Sequence, residues 1–216
     1  MDLLVGDSKL YAAGIGVQSF DITDPAKPIP LGFQPFTGFV GSPCHAYVEA
    51  GDRKLVVAMD YLVRVVDMSA PAQPEVVYES MIDSVEIWGG CAAKGSFVFA
   101  FAKGGDELWS IDFSVPEAPR VAHQMLFEAT ESPFLGLTVV GDWPYTAPKM
   151  LGDALPSLHV LQIDAGGALR EVARHQLFAQ TWALAAKQGH VLIGGDYGFG
   201  WLVDESRATA VEPGPR

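Results

Sequence analysis

Basic residues are scarce in this chain, cysteine is scarcer, and long apolar runs and capped helical periodicity are missing. Each shortage excludes something. Lys and Arg number 14 against 26 Asp and Glu, a formal net charge of −12. A phosphate backbone is repelled on average by such a surface, and no local Lys/Arg cluster reverses this, so nucleic acid is not an expected partner. The two cysteines, Cys44 and Cys91, are too few for a disulfide scaffold and fall outside any zinc-ligand spacing. Both lie in apolar segments and read as small buried core residues. No apolar run approaches the roughly 20 residues that a membrane-spanning helix needs. The start, Met1-Asp2-Leu3-Leu4-Val5-Gly6-Asp7, lacks the basic and then apolar regions of a signal peptide.

Catalytic signatures are missing too. There is no Gly-x-Ser-x-Gly, no phosphate-cradling loop and no dinucleotide fingerprint. The five histidines form no triad. His123 and His175 each stand eleven residues after an aspartate, Asp112 and Asp164, so they read as repeat features of an outer strand. His159 and His190 lie in strand contexts. No catalytic residue, resident metal or cofactor is assigned.

Repetition is present throughout. Three segments align without gaps: Ser19–Pro28, Val65–Pro74 and Ser110–Pro119. In each, an aspartate (Asp21, Asp67, Asp112) is followed by proline four and seven residues later, and the copies are spaced by 46 and 45 residues. Weaker copies surround Asp164 and Asp204. A second landmark is a glycine closing an apolar run, at Gly6, Gly51, Gly95, Gly141 and Gly189, spaced by 45, 44, 46 and 48. Two landmarks in constant order define a unit of about 45 residues.

Within a unit the pattern is all strand. In the second, Ala46–Ala50, Lys54–Ala58, Leu62–Val66 and Glu75–Tyr78 are short β-branched or aromatic runs separated by turn residues. Four antiparallel strands per unit is the spacing of a β-propeller blade. The fold expected is therefore all-β, a propeller of about five four-stranded antiparallel blades in one domain. The units fall near 1–36, 37–80, 81–128, 129–178 and 179–216. The first has five residues before Gly6 where later units have an inner strand of about ten. Either the ring closes at five blades, or the five belong to a larger ring and the open ends favour self-association. The repeated aspartates are expected to accept turn N–H groups, and the prolines to end each ladder.

A strand ending in Asp-x-Ser/Thr before a Pro-x-x-Pro turn, as in Asp67-Met68-Ser69 and Pro71–Pro74, resembles the LVIVD repeat family. The resemblance covers nearly the whole chain and is specific through residue 120. It implies a propeller of bacterial surface or secreted proteins, without an assigned activity and without catalytic residues to carry over.

Ligands on propellers meet the face formed by loops leading into the innermost strands and loops joining second and third strands. Counting seven back from the turn glycines aligns Cys44, Trp88, Phe134 and Trp182 there; six back gives His45. These aromatics suit a planar ligand or a protein partner. Asp83, Glu86 and Glu131 lie near the same loops. The fourth unit carries an insertion, Pro148–Ser157, with Lys149 and Asp153. The binding residues expected are Trp88, Phe134, Trp182, His45, Glu86, Glu131, Lys149 and Asp153, in a non-enzymatic module taking a protein or small ligand. The alternative is a metal-dependent, lactonase-like hydrolase using Glu86, Glu131 and His45.

Overall fold

Short apolar runs joined by two-residue turns leave no room for anything but hairpins, and every element among the described residues is a strand. The computed structural model describes residues 2–37, 44–82, 87–102, 107–127, 131–132, 136–147, 149–150, 157–177, 181–187, 190–195 and 200–204. Blade 1 is β1 (Asp2–Gly6), β2 (Lys9–Ala13), β3 (Gly16–Asp21) and β4 (Ile29–Pro35). Blade 2 is β5 (Cys44–Ala50), β6 (Arg53–Met59), β7 (Val63–Asp67) and β8 (Glu75–Ser80). Blade 3 is β9 (Ile87–Lys94), β10 (Phe97–Ala102), β11 (Glu107–Asp112) and β12 (Arg120–Leu126).

The fourth unit departs from the pattern. A separate two-stranded ribbon, β13 (Glu131–Ser132) with β16 (Lys149–Met150), accompanies blade 4, which is β14 (Leu137–Val140), β15 (Trp143–Thr146), β17 (Ser157–Ile163) and β18 (Leu169–Gln176). Blade 5 contributes β19 (Thr181–Lys187), β20 (His190–Gly195) and β21 (Gly200–Asp204). The stretch Ala208–Pro213, which the repeat pattern offers as the outer strand of unit five, lies outside the described residues. Each blade is an antiparallel meander, and the innermost strands pack in the order β1, β5, β9, β14, β19.

Turn chemistry follows the repeat. Asp21, Asp67, Asp112 and Asp164 each accept a hydrogen bond at 2.8 Å from the amide two residues on, those of Thr23, Ser69, Ser114 and Gly166. In the Pro-x-x-Pro segments the carbonyl before the first proline accepts the amide three residues later, as in Lys27 to Asp24, Gln73 to Ala70 and Ala118 to Val115. This is the proline-started turn that fixed φ favours. A bulge recurs where the third strand meets the fourth in blades 1 to 4, adding local twist.

Two sequence readings are corrected. Gly51, Gly95 and Gly141 adopt positive φ at the first turn position, but in blade 1 that place belongs to Asp7 (φ 48°), followed by Ser8 (φ 56°). Gly6 is instead the last residue of β1, and it is small because a Cβ there would stand 2.5 Å from the Tyr47 ring. The cysteines are not separate core residues. Cys44 and Cys91 form a disulfide between β5 and β9, with Cα atoms 5.6 Å apart, a separation suited to the bond.

Apolar clusters fill the spaces between blades. Val57, Val65, Ala100, Trp109 and Ile111 lie between blades 2 and 3, and Phe99, Phe101, Leu161 and Ile163 between blades 3 and 4. Polar ties reinforce them: the Ser19 hydroxyl donates to the Pro71 carbonyl at 2.6 Å, and Arg53 joins Asp67 at 2.8 Å and Glu117 at 2.5 Å. Lys54 pairs with Asp7, and Lys94 with Asp142, across successive blades.

Candidate functional site

Innermost strands run regularly in blades 1, 2 and 4, where every residue of the first hairpin pairs in step. In blades 3 and 5 they do not. Between Cys91 and Trp88 the pairing to β10 jumps from Ala100 to Phe101, leaving Gly89 and Gly90 as a bulge. Between Ala183 and Thr181 the pairing to β20 jumps from Gly194 to Gly195, leaving Trp182 as the extra residue. Both irregularities sit at the starting end of an inner strand, and each carries a tryptophan. Bulges re-aim side chains and gather at rims and sites.

Counting back from glycines therefore misaligned these positions. By register Trp88 corresponds to Ala46 rather than Cys44, because the double glycine adds two residues. Gly194 and Gly195, a pair whose sequence by itself suggests a hairpin turn, end strand β20 and pair with β19. Gly104 and Gly105 lie outside the described residues.

The insertion and the loop leading into blade 4 meet. Glu131 pairs with Met150 and Ser132 with Lys149, so Glu131 and Lys149 belong to one two-stranded ribbon, at successive pairs and on opposite faces of it. Sequence placed them in separate loops. Asp83, Glu86, Phe134 and Asp153 lie outside the described residues.

His45 is the second residue of β5 and is buried; its Nδ1 lies 2.6 Å from Oδ2 of Asp2 on β1. The carboxylate, half exposed, orients the ring, and Nε2 is buried without a hydrogen-bond partner among the described residues. Register puts His45, Ala58, Arg64 and Glu79 in one row across blade 2. Sequence reasoning missed Arg64. Its guanidinium is 1% exposed, bonded to Asp60 at 3.2 Å, to Glu79 at 3.2 Å and to the Thr37 carbonyl at 3.3 Å, over the Phe36 ring at 5.6 Å. A buried cation needs this many partners to offset lost hydration. The alternation in β7, which puts Arg64 among valines, is the signal that marked it.

The same slot recurs. Phe127, one residue beyond β12, meets buried His159 of β17 edge-on at 5.1 Å, and His159 lies 3.5 Å from Glu171. The Glu171 carboxyl is pushed up by burial, but the Arg174 guanidinium and then His159 draw it below the ordinary carboxylate range. These ion pairs tie the third strand to the outer strand within blades 2 and 4. Among the described residues no three His, Cys, Asp or Glu side chains gather as a metal site.

No protein-family model matches the chain, and no curated protein matches it. Solved structures do. A 6-phosphogluconolactonase candidate from Bacteroides uniformis aligns with TM-score 0.66 at 9% identity, over 94% of this chain and 69% of that one. The periplasmic gluconolactonase of Pseudomonas aeruginosa aligns with TM-score 0.62 at 14% identity, over 91% and 68%. The Swd1 β-propeller domain of Myceliophteria thermophila gives 0.57 at 12%, over 88% and 64%. At these identities the likeness shows the fold, a β-propeller architecture, and nothing about chemistry.

Proposed function

We propose that this protein is a non-enzymatic binding module that takes its ligand at the loop-bearing face. The observation that carries the reading is the pair of inner-strand bulges, each at a tryptophan, in an otherwise regular repeat. The outer bulges of blades 1 to 4 recur with the repeat, whereas the inner hairpins of blades 1, 2 and 4 pair in step, which sets these two bulges apart. The β13–β16 ribbon supports the same face, since an added element in a short-loop repeat is where recognition concentrates. The Cys44–Cys91 disulfide favours maturation in an oxidising compartment, in keeping with a surface or secreted protein of the LVIVD kind.

The test pans immobilised protein against peptide libraries and glycan arrays, then repeats each hit with Trp88→Ala/Trp182→Ala. Hits are expected to weaken at least tenfold while the thermal midpoint moves by only a few degrees. Undiminished binding removes the proposal; a collapse in folding makes the tryptophans packing residues instead. The competing reading is a lactonase-like hydrolase. Turnover of gluconolactone, stimulated by Ca²⁺ and abolished by a chelator, would establish it in place of the binding role.

A further inference from the structure

Blade 1 is constructed to be covered on both faces, and only one is. Tyr11, Ala13 and Val17 turn toward blade 2 and are fully buried. The opposite face carries Leu3 and Val5 of β1, Leu10 of β2, Phe20 of β3 and Phe33 of β4, aligned by strand register in two rows without a charged residue. Leu3 is 61% exposed, Val5 63% and Phe33 53%. At the other end of the arc, Val191 and Ile193 pack toward blade 4 while Leu192 between them is 50% exposed. Central blades differ: Leu55–Met59 and Val98–Ala102 are buried on both faces. Blades 1 and 5 therefore do not cover each other.

Size identifies what fits between them. The five blades use 94% of this chain to cover 69% of the Bacteroides uniformis propeller, and the uncovered part of that ring is about two of this chain's own repeat units. A second copy brings five blades, too many for that gap. Inside the arc, blades pack sheet face on sheet face with apolar side chains from both, and the outward face of blade 1 and Leu192 of blade 5 offer the same kind of apolar surface.

We infer that the outward faces of blades 1 and 5 dock two further blades of this four-stranded repeat, presenting apolar residues on both sheet faces. The probe is a duplicate of residues 37–128, two adjacent units whose blades are covered on both sides here, as blade 4 also is, fused after residue 216 through a Gly/Ser linker. Val5→Asp is then made in the five-unit chain and in the seven-unit fusion. The substitution is expected to shift the thermal midpoint by about 1 °C in the first and by roughly 5 °C or more in the second, where Val5 is buried. Binding of a hydrophobic dye is expected to fall several-fold on fusion. Equal shifts in both proteins overturn the inference, as does a fusion that aggregates or leaves the dye signal unchanged. It is also overturned if light scattering finds the five-unit chain dimeric and Val5→Asp dissociates it, because a second copy is then the occupant.

Discussion

Tyr11 and Tyr47 stack between blades 1 and 2 with ring centroids 5.6 Å apart, and both hydroxyls are buried without a hydrogen-bond partner among the described residues. Burial, then the neighbouring Tyr11 and Glu49, pushes the Tyr47 hydroxyl up to about 12. An unsatisfied buried hydroxyl costs stability, so Tyr47→Phe is expected to stabilise the fold by about 1 kcal/mol. Urea denaturation checks this, and a loss of stability would mean that the hydroxyl is satisfied. Arg64 is the opposite case, a buried charge with every side occupied, and its removal strands Asp60. Sequence alone presents both residues as members of alternating strands. Which polar atoms find partners depends on neighbours from another blade.

Among elements, the inner strands decide most. The disulfide between β5 and β9 closes a loop whose ends are 47 residues apart, and on the chain-entropy relation that contributes about 4 kcal/mol. Cys44→Ser/Cys91→Ser, or reduction of the native protein, should lower the denaturation midpoint accordingly; thiol titration under denaturing conditions should find no free cysteine before reduction. Free thiols in protein matured under oxidising conditions would contradict the pairing. The signal was present in the sequence: a spacing near one repeat period puts two residues at neighbouring places on adjacent blades. It was hidden because counting from the turns puts Cys91 level with Tyr47, three residues along β5 from Cys44. The aromatic rim inferred by counting was displaced by the bulges, two residues at Trp88 and one at Trp182, whereas the Asx turns, being local, were legible in full.

For the whole molecule, the repeated turn carboxylates set the response to acid. The Thr23 hydroxyl and amide, then Lys9, hold Asp21 down to about 2. At Asp67 and Asp112 burial acts upward and is outweighed by bonds from Ser69 with Arg53, and from Ser114 with Arg120, leaving both below the usual range. Folded carboxyls with depressed pKa bind fewer protons than the unfolded chain as pH falls below about 4. Their stabilisation is thus complete above that pH and is lost progressively toward pH 2. Denaturant midpoints measured from pH 7 to 2 should stay level and then drop, with a smaller drop in Asp67→Asn. A fall beginning above pH 5 would assign acid lability to other groups.

The order of residues by itself determined the repeat, its period, the four-strand unit and the turn that ends each third strand, because those depend on contacts within about 45 residues. Tertiary structure alone decided the cysteine pairing, the bulges that displace Trp88 and Trp182, the ribbon joining Glu131 to Lys149, and the open arc. Each of these rests on how one blade meets the next, and a one- or two-residue slip in register, invisible along the chain, changes which side chains face each other.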